Sequence, residues 1–398
     1  MKRHRKKTRR GSPISKLPEE LLLEIFAHLP NYAARRRRGR DCPPHWLSVT
    51  RVCTLWRRVA LACPDLWRFI PLESEPWTQA ALKHSKDALI TIRAAKWPKP
   101  STLEDPYAKQ LALEHISRAR EITLVDFNNN ISYGVTVNCN SDESSPKPSP
   151  HLEVLRLRVD IRSCTGLRLS GVFDEIPTPK LRDLRLHNLF IRWTSPLLQS
   201  TALTHLELQV QEIPALRTWD CVEDLAQTLS RMPLLHTLVL LNVFPPNTAV
   251  PPGLLPERLD FPHLATIRFA GSSIMEHILA CIAAPACVEF ALVLNTDYVE
   301  SPLPLPLPQH RMPDALTTFF SRTGDKLYSV KLYGYGLWGG RTQMFNTLAR
   351  ISSPLRRLYL DRVDGVTEDE ETWADLELPT PLLLAARATP MIWDDPEL

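Results

Sequence analysis

Two places in the chain hold residue types and spacings that could do chemistry. GYGLWG at 334–339 fits the GxGxxG pattern. Glycines at those positions allow a tight turn and a close backbone approach to a pyrophosphate at a helix N-terminus. The stretch follows the strand-like LYSVKLY and precedes the helix-like RTQMFNTLARI, and Asp361 lies 22 residues past Gly339. Lys331 interrupts the apolar run of that strand, however, and no room remains for a second mononucleotide-binding half. A Gly-rich strand-to-helix loop is the better reading. His277 and Cys281 are four apart on a helix-like stretch, with Cys287 nearby. Their spacing matches no standard zinc pattern, and a small buried thiol on an apolar helix accounts for them. No nucleophile elbow, HExxH, P-loop or kinase signature is present. The expectation is a chain with no catalytic residue, no cofactor and no metal.

Composition bounds what the elements around these residues can be. The 398 residues are 44% hydrophobic, with 36 Pro and 13 Gly. A sizeable core is possible, and the Pro excess predicts many stiff loops between short elements. No apolar stretch reaches 18 residues, so no transmembrane helix is expected. The charged N-terminus lacks the apolar core of a secretory signal. The eight cysteines are scattered without a CxxC, which suits a reducing, intracellular location. Residues 1–40 hold 13 Lys/Arg against three Glu, a net of +10, whereas the whole chain is +4. The basicity belongs to the first segment. Residues 1–12 read as a solvated, disordered tail that could serve as a nuclear-import signal, placing the chain in the nucleus and/or cytoplasm. No aromatic residue interleaves with these charges, so nucleic-acid binding is the weaker reading.

The stretch LPEELLLEIFAHLP at 17–30 predicts a helix with Pro18 and two carboxylates in its first turn. At 100° per residue, Leu21, Ile25, Leu29, Leu22 and Phe26 fill one arc, and Leu23 widens it to roughly 200°. A helix covering only its own core needs about half of that. HWLSVTRVCTLWRRVALACP then reads as a second helix, with Val49, Val52, Cys53, Trp56, Val59, Ala60 and Cys63 at helical spacing and Pro64 as its stop. Two small helices with this much apolar surface cannot bury it alone, and a partner groove is the natural complement.

The Leu-Pro-x-Glu start, the Ile-Phe pair and the Val-Cys-x-x-Trp run, in that order, resemble the F-box. The resemblance covers 13–70 and is of the divergent fungal style, with RRRRGR enlarging the loop between the helices. It implies a small all-α hairpin that docks onto the Skp-type adaptor of a cullin–RING ubiquitin ligase. Carried onto matching positions, Leu17, Pro18, Glu20, Leu22, Ile25 and Phe26 would touch the adaptor, and Val49, Val52, Cys53 and Trp56 would join them or hold the small core.

From residue 71 to 398 the phrase Leu-x-x-Leu-x-Leu recurs. Its anchors are Leu152, Leu181, Leu203, Leu235, Leu264, Cys287, Leu327 and Leu355, at gaps of 29, 22, 32, 29, 23, 40 and 28. Weaker copies are ALITI at 88 and AREITL at 119. Helix-like stretches at 220–232, 273–283, 314–322 and 341–351 lie between phrases. Strand, crossover, strand at such intervals forces parallel neighbours. The fold class expected is therefore α/β: the helical hairpin, then an irregular leucine-rich-repeat solenoid with a curved parallel sheet and no asparagine ladder. Ser/Pro-rich 138–150 and Pro-alternating 301–313 read as loop insertions. With the anchors pointing inward, the intervening Arg156, Arg185, Glu207 and Lys331 form the possible target-binding face.

The function expected is that of a non-catalytic substrate receptor, taking the adaptor through 13–70 and an unknown protein target through the repeats, with no membrane partner. The alternatives are an interaction scaffold that feeds nothing to ubiquitin, or a nuclear nucleic-acid-associated protein using its basic N-terminus.

Overall fold

The computed structural model describes residues 17–33, 45–93, 105–124, 149–159, 167–168, 177–210, 222–244, 258–271, 274–294, 312–323, 326–333 and 357–360. The basic tail, the RRRRGR loop, GYGLWG, Asp361, the stretch 341–351, Leu355 and nearly all of both insertions lie outside them. The chain forms two compact units: Met1–Lys96 with Ser101–Glu121, and Trp97–Pro100 with Ile122–Leu398.

The first unit opens with α1 (Glu19–Ala33). The helix was expected to stop at Pro30 but continues one short step past it. A proline this near a C-terminus removes one backbone bond, not several. The single second helix expected over 45–63 is two pieces, a 3₁₀ segment His45–Arg51 and α2 (Thr54–Ala62). Cys53 divides them: its backbone is extended, and its sulfur accepts the Trp56 N–H at 3.5 Å as a cap. The β-branched Val49, Thr50 and Val52 beside it favour the break, and the Thr50 hydroxyl donates to the Leu47 carbonyl at 2.7 Å. Pro64 ends α2 as expected and opens the 3₁₀ turn Pro64–Trp67.

The boundary expected at residue 70 falls inside this unit. Beyond it come β1 (Phe69–Ile70), α3 (Glu75–Ser85), β2 (Ile90–Arg93) and α4 (Pro106–Leu113). Buried contacts tie them back. Trp67 stacks on His84 with centroids 4.5 Å apart, and its ring N–H donates to the Ala60 carbonyl at 2.8 Å. β1 and β2 pair in parallel, Ile70 opposite Ile92. β3 (Ala119–Leu124) follows at the end of the unit.

The second unit is built on a parallel sheet. Its strands are β4 (Val154–Arg158), β6 (Asp183–His187), β8 (His205–Gln209), β9 (Thr237–Leu241), β11 (Thr266–Gly271), β13 (Glu289–Leu294), β14 (Ser329–Tyr333) and β15 (Arg357–Leu360), each hydrogen-bonded to the next. Two minor parallel pairs accompany it, β5 (Leu167–Arg168) with β7 (Leu189–Phe190) and β10 (Leu259–Asp260) with β12 (Ile282–Ala283). Every strand of the main sheet starts two residues after its anchor, whatever the gap to the next. The anchors Leu152, Leu181, Leu203, Leu235, Leu264, Cys287 and Leu327 are all buried. Six of them close the same turn, the anchor N–H donating to the carbonyl three residues back. Period-2 alternation then aligns Leu155, Leu184, Leu206, Leu238, Ile267, Phe290 and Val330 in one buried row, and Leu157, Leu186, Leu208, Leu240, Phe269, Leu292 and Leu332 in the next.

The crossovers carry α5 (Val222–Ser230), α6 (Ile274–Cys281) and α7 (Met312–Arg322), where helical periodicity was read. Phe319 and Phe320 of α7 pack on Phe290 at 4.9 and 5.6 Å. Between β6 and β8 the 22-residue step holds no α-helix, only the short β7 and a 3₁₀ turn, Pro196–Gln199. Two turn residues escaped the sequence reading. Asn188 and Asn242 each stand seven residues past an anchor and take positive φ, 60° and 54°. The Asn188 amide group donates to the Val159 carbonyl, just past the end of neighbouring β4, at 2.8 Å. Their shared offset is visible in the sequence once the strand ends are known.

The buried rows generate a prediction. Leu208→Ala removes a fully buried side chain and is expected to cost roughly 2–5 kcal/mol, read as a lower urea midpoint for the transition of the second unit. Leu21→Ala, at an exposed position, leaves the unfolding curve unchanged.

Candidate functional site

Helix α1 carries two apolar faces. Leu22 and Phe26, one turn apart, are 1% and 0% exposed. Phe26 meets Trp56 of α2 edge-on, centroids 5.3 Å apart and planes at 65°. Leu47, Val49, Val59, Ala60, Cys63 and Leu66 are buried as well. On the other face Leu21 and Ile25 are each 45% exposed, and Leu23 is exposed too. Five of the nine large exposed hydrophobics among the described residues fall between positions 21 and 61: Leu21, Leu23, Ile25, Val52 and Leu61. Apolar surface concentrated in so short a span marks an interaction site more than chance exposure does. The exposed Glu19–Arg58 ion pair links the start of α1 to α2 and contributes little by itself.

The structure sorts the expected contact residues by burial. Pro18, Glu20, Ile25, Val52 and Cys53 are exposed, and Leu17 and Trp56 are half-buried. Leu22 and Phe26 are corrected: both are buried in the small core, so they offer no surface to a partner, and Val49 is buried too, taking the second of the two roles expected of it. Leu21 and Leu23 were missing from the expected set. Hydrophobic arc alone could not separate them from Leu22 and Phe26, because the arc shows which residues are apolar and not which side another helix occupies.

The polar face of the parallel sheet holds the second candidate. Register sets Arg156 opposite Arg185 and Arg185 opposite Glu207 on β4, β6 and β8. The Asp183 carboxylate takes hydrogen bonds from both guanidiniums, at 3.1 Å from Arg156 Nε and 3.0 Å from Arg185 Nε. Glu207 Oε1 lies 2.6 Å from His187 Nε2, and its Oε2 lies 3.3 Å from His205 Nε2 and 3.6 Å from Arg185 Nη1. Burial pushes the Glu207 carboxyl pKa up, but the His187 and His205 hydrogen bonds and the nearby His187 and Arg185 charges outweigh it and hold it far below the usual carboxylate range. Asp183 behaves alike: burial raises its pKa, and its bonds and charge contacts with Arg156 and Arg185 lower it by more.

Three of the four residues expected on a target-binding face are thus brought together. Lys331, on β14, is four strands beyond Glu207 and does not join them. Glu207 is also corrected: it is buried, not presented on an accessible face, because two histidines and an arginine close over its oxygens. His187, Asp183 and His205 were missed, since only strand register shows that they share a face with the arginines. His277 is exposed, whereas Cys281 and Cys287 are buried. Among the described residues no group of three or more His, Cys, Asp or Glu has metal-holding geometry. Burial, with the Glu289 charge, pushes the Cys287 thiol up to about 12.

The comparisons with known proteins bear on the first of these sites. Residues 14–72, the span of α1, α2 and the Pro64–Trp67 turn, match the family model described as F-box-like. The chain accordingly carries an F-box-like helical region near its N-terminus, and its second unit holds a large parallel sheet. F-box domains as a class bind Skp-type adaptors and point to a role in ubiquitin ligase assemblies, where F-box proteins are typically non-catalytic. No curated protein matches the chain.

Two measurements check the site chemistry. Glu207→Gln is expected to lower stability by roughly 1–3 kcal/mol at neutral pH. Because the folded-state pKa is depressed, this contribution is complete above the ordinary carboxylate pKa and is lost as pH falls through the native one. The gap between wild type and variant therefore holds from neutral pH to about pH 5 and narrows below it, as urea midpoints across that range will read. Alkylation of the native protein at mildly alkaline pH should label the exposed Cys53 well before the buried Cys63, Cys281 and Cys287, by peptide mass spectrometry.

Proposed function

We propose that the chain is the substrate-receptor subunit of an SCF-type cullin–RING ubiquitin ligase. One observation carries the reading: within the F-box-like span, α1 buries Leu22 and Phe26 inward and leaves Leu21 and Ile25 outward. Burying those side chains in a groove of a Skp-type adaptor supplies roughly 1.5–3 kcal/mol each, which the isolated unit forgoes. The second unit then acts as an irregular leucine-rich-repeat solenoid whose polar sheet face receives a protein target. Its support is the constant two-residue offset between anchor and strand and the unbroken parallel order. The chain itself contributes placement and no bond-making step. Holding a target lysine near the charged ubiquitin carrier raises its effective concentration, and other subunits perform the transfer. The basic residues 1–12 act as a nuclear-import signal, which places the receptor in the nucleus as well as the cytoplasm.

Binding of the full-length chain to a purified Skp-type adaptor tests the proposal. The wild type is expected to be captured, and the double substitution Leu21→Ala, Ile25→Ala to weaken capture about a hundredfold with an unchanged melting curve. Wild-type affinity in the double variant, or no capture of the wild type, would sink the assignment.

A further inference from the structure

The charged cluster on β4, β6 and β8 is layered. Its carboxylates lie deep, with side-chain exposures of 14% for Asp183 and 5% for Glu207. Its guanidiniums lie above them, 26% exposed at Arg156 and 24% at Arg185. The layer that meets solvent is therefore cationic, although the cluster is nearly neutral in sum. Arg156 and Arg185 also stand directly opposite in register, where like charges disfavour strand pairing. The same row carries Val239 on β9 and Ala291 on β13, so an apolar residue fits this face of the sheet. A buried charge cluster is poor value for stability against such residues.

What the carboxylates do is hold the guanidiniums still. Asp183 takes hydrogen bonds from Nε and Nη2 of both Arg156 and Arg185, and Glu207 lies against Nη1 of Arg185, which leaves Nη1 of Arg156 and the second hydrogen on each engaged Nη to donate elsewhere. Two planar donors held side by side on one face suit the carboxylates of an acidic segment laid across it. Arg158, two residues along β4 and partly exposed, adds a cation with no carboxylate partner among the described residues.

We propose that this face is the docking site for an acidic, carboxylate-rich segment of the target protein, with Arg156, Arg158 and Arg185 as its anion-binding residues and Asp183 and Glu207 as positioning residues beneath them. The inference rests on the receptor reading, since it supplies the partner class for the sheet face.

Fluorescence anisotropy of a labelled decaglutamate peptide with the full-length chain tests it. Arg156→Gln with Arg158→Gln is expected to weaken binding about tenfold, as the loss of charge-assisted hydrogen bonds requires. Arg158→Gln alone, which breaks no ion pair among described residues, should weaken it about threefold even if the double variant folds poorly. Arg192→Gln with Arg231→Gln removes the same charge from exposed positions off this face and leaves binding unchanged, and the basic segment 1–40, retained in every variant, contributes equally to all of them. Equal affinity for wild type and both face variants overturns the proposal. So does a peptide that binds only when its acidic residues are replaced by phosphoserine. Adaptor capture measured on the same samples separates the two readings: capture retained with no face-dependent peptide binding sinks this inference alone, and peptide binding with no capture sinks the receptor reading alone.

Discussion

The second unit depends on keeping one side chain per repeat at a fixed distance from a strand start. Each anchor among the described residues is buried and hands the chain to a strand two residues later, and six of the seven close a turn by donating to the carbonyl three residues back. Because side chains alternate along a strand, a slip of one residue would turn the whole leucine row outward and bring the charged row into the core. Burial of Leu184, Leu206 and Leu238 in one row and Leu186, Leu208 and Leu240 in the next makes that slip prohibitive. The charged face is a by-product of the same constraint. Arg156, Arg185 and Glu207 meet only because their strands are locked in register.

The F-box-like region solves a different problem with the same chemistry. A unit of this size needs α1 for its core, yet α1 is apolar around too much of its circumference to be consumed there. Trp56 and the Val49–Cys63 stretch cover one side of it through Phe26 and Leu22. The remaining leucine and isoleucine stay in water, at a cost that a folded monomer has no means of recovering. A region that is stable enough to fold and still under-buried is prepared for association, and the two properties sit on adjacent faces of one helix.

Much of this was legible before any coordinates. Local spacing found the opening helix, the stop at Pro64, every anchor of the main sheet among the described residues, and the three crossover helices. These features are set by residues near one another in the chain, where periodicity carries the signal. The reading failed where the deciding partner is distant. It ran through Cys53 because helical spacing continues across it, while the extended cap there is stabilised by local bonds that leave no periodic mark. It sent Leu22 and Phe26 outward because the arc does not reveal where α2 packs. It treated Glu207 as accessible because His187 is 20 positions away and becomes a neighbour only through strand pairing.

The strands start 29, 22, 32, 29, 23, 40 and 28 residues apart, and yet their pairing is uninterrupted. All variation in length is expelled into the crossovers. Such a chain can gain or lose whole stretches between phrases in the course of descent without re-threading its sheet, so long as each phrase survives intact. Relatives of this protein should therefore differ most in total length and least in the eight short words that begin each strand, which makes conventional end-to-end alignment a poor detector of common ancestry for chains built this way.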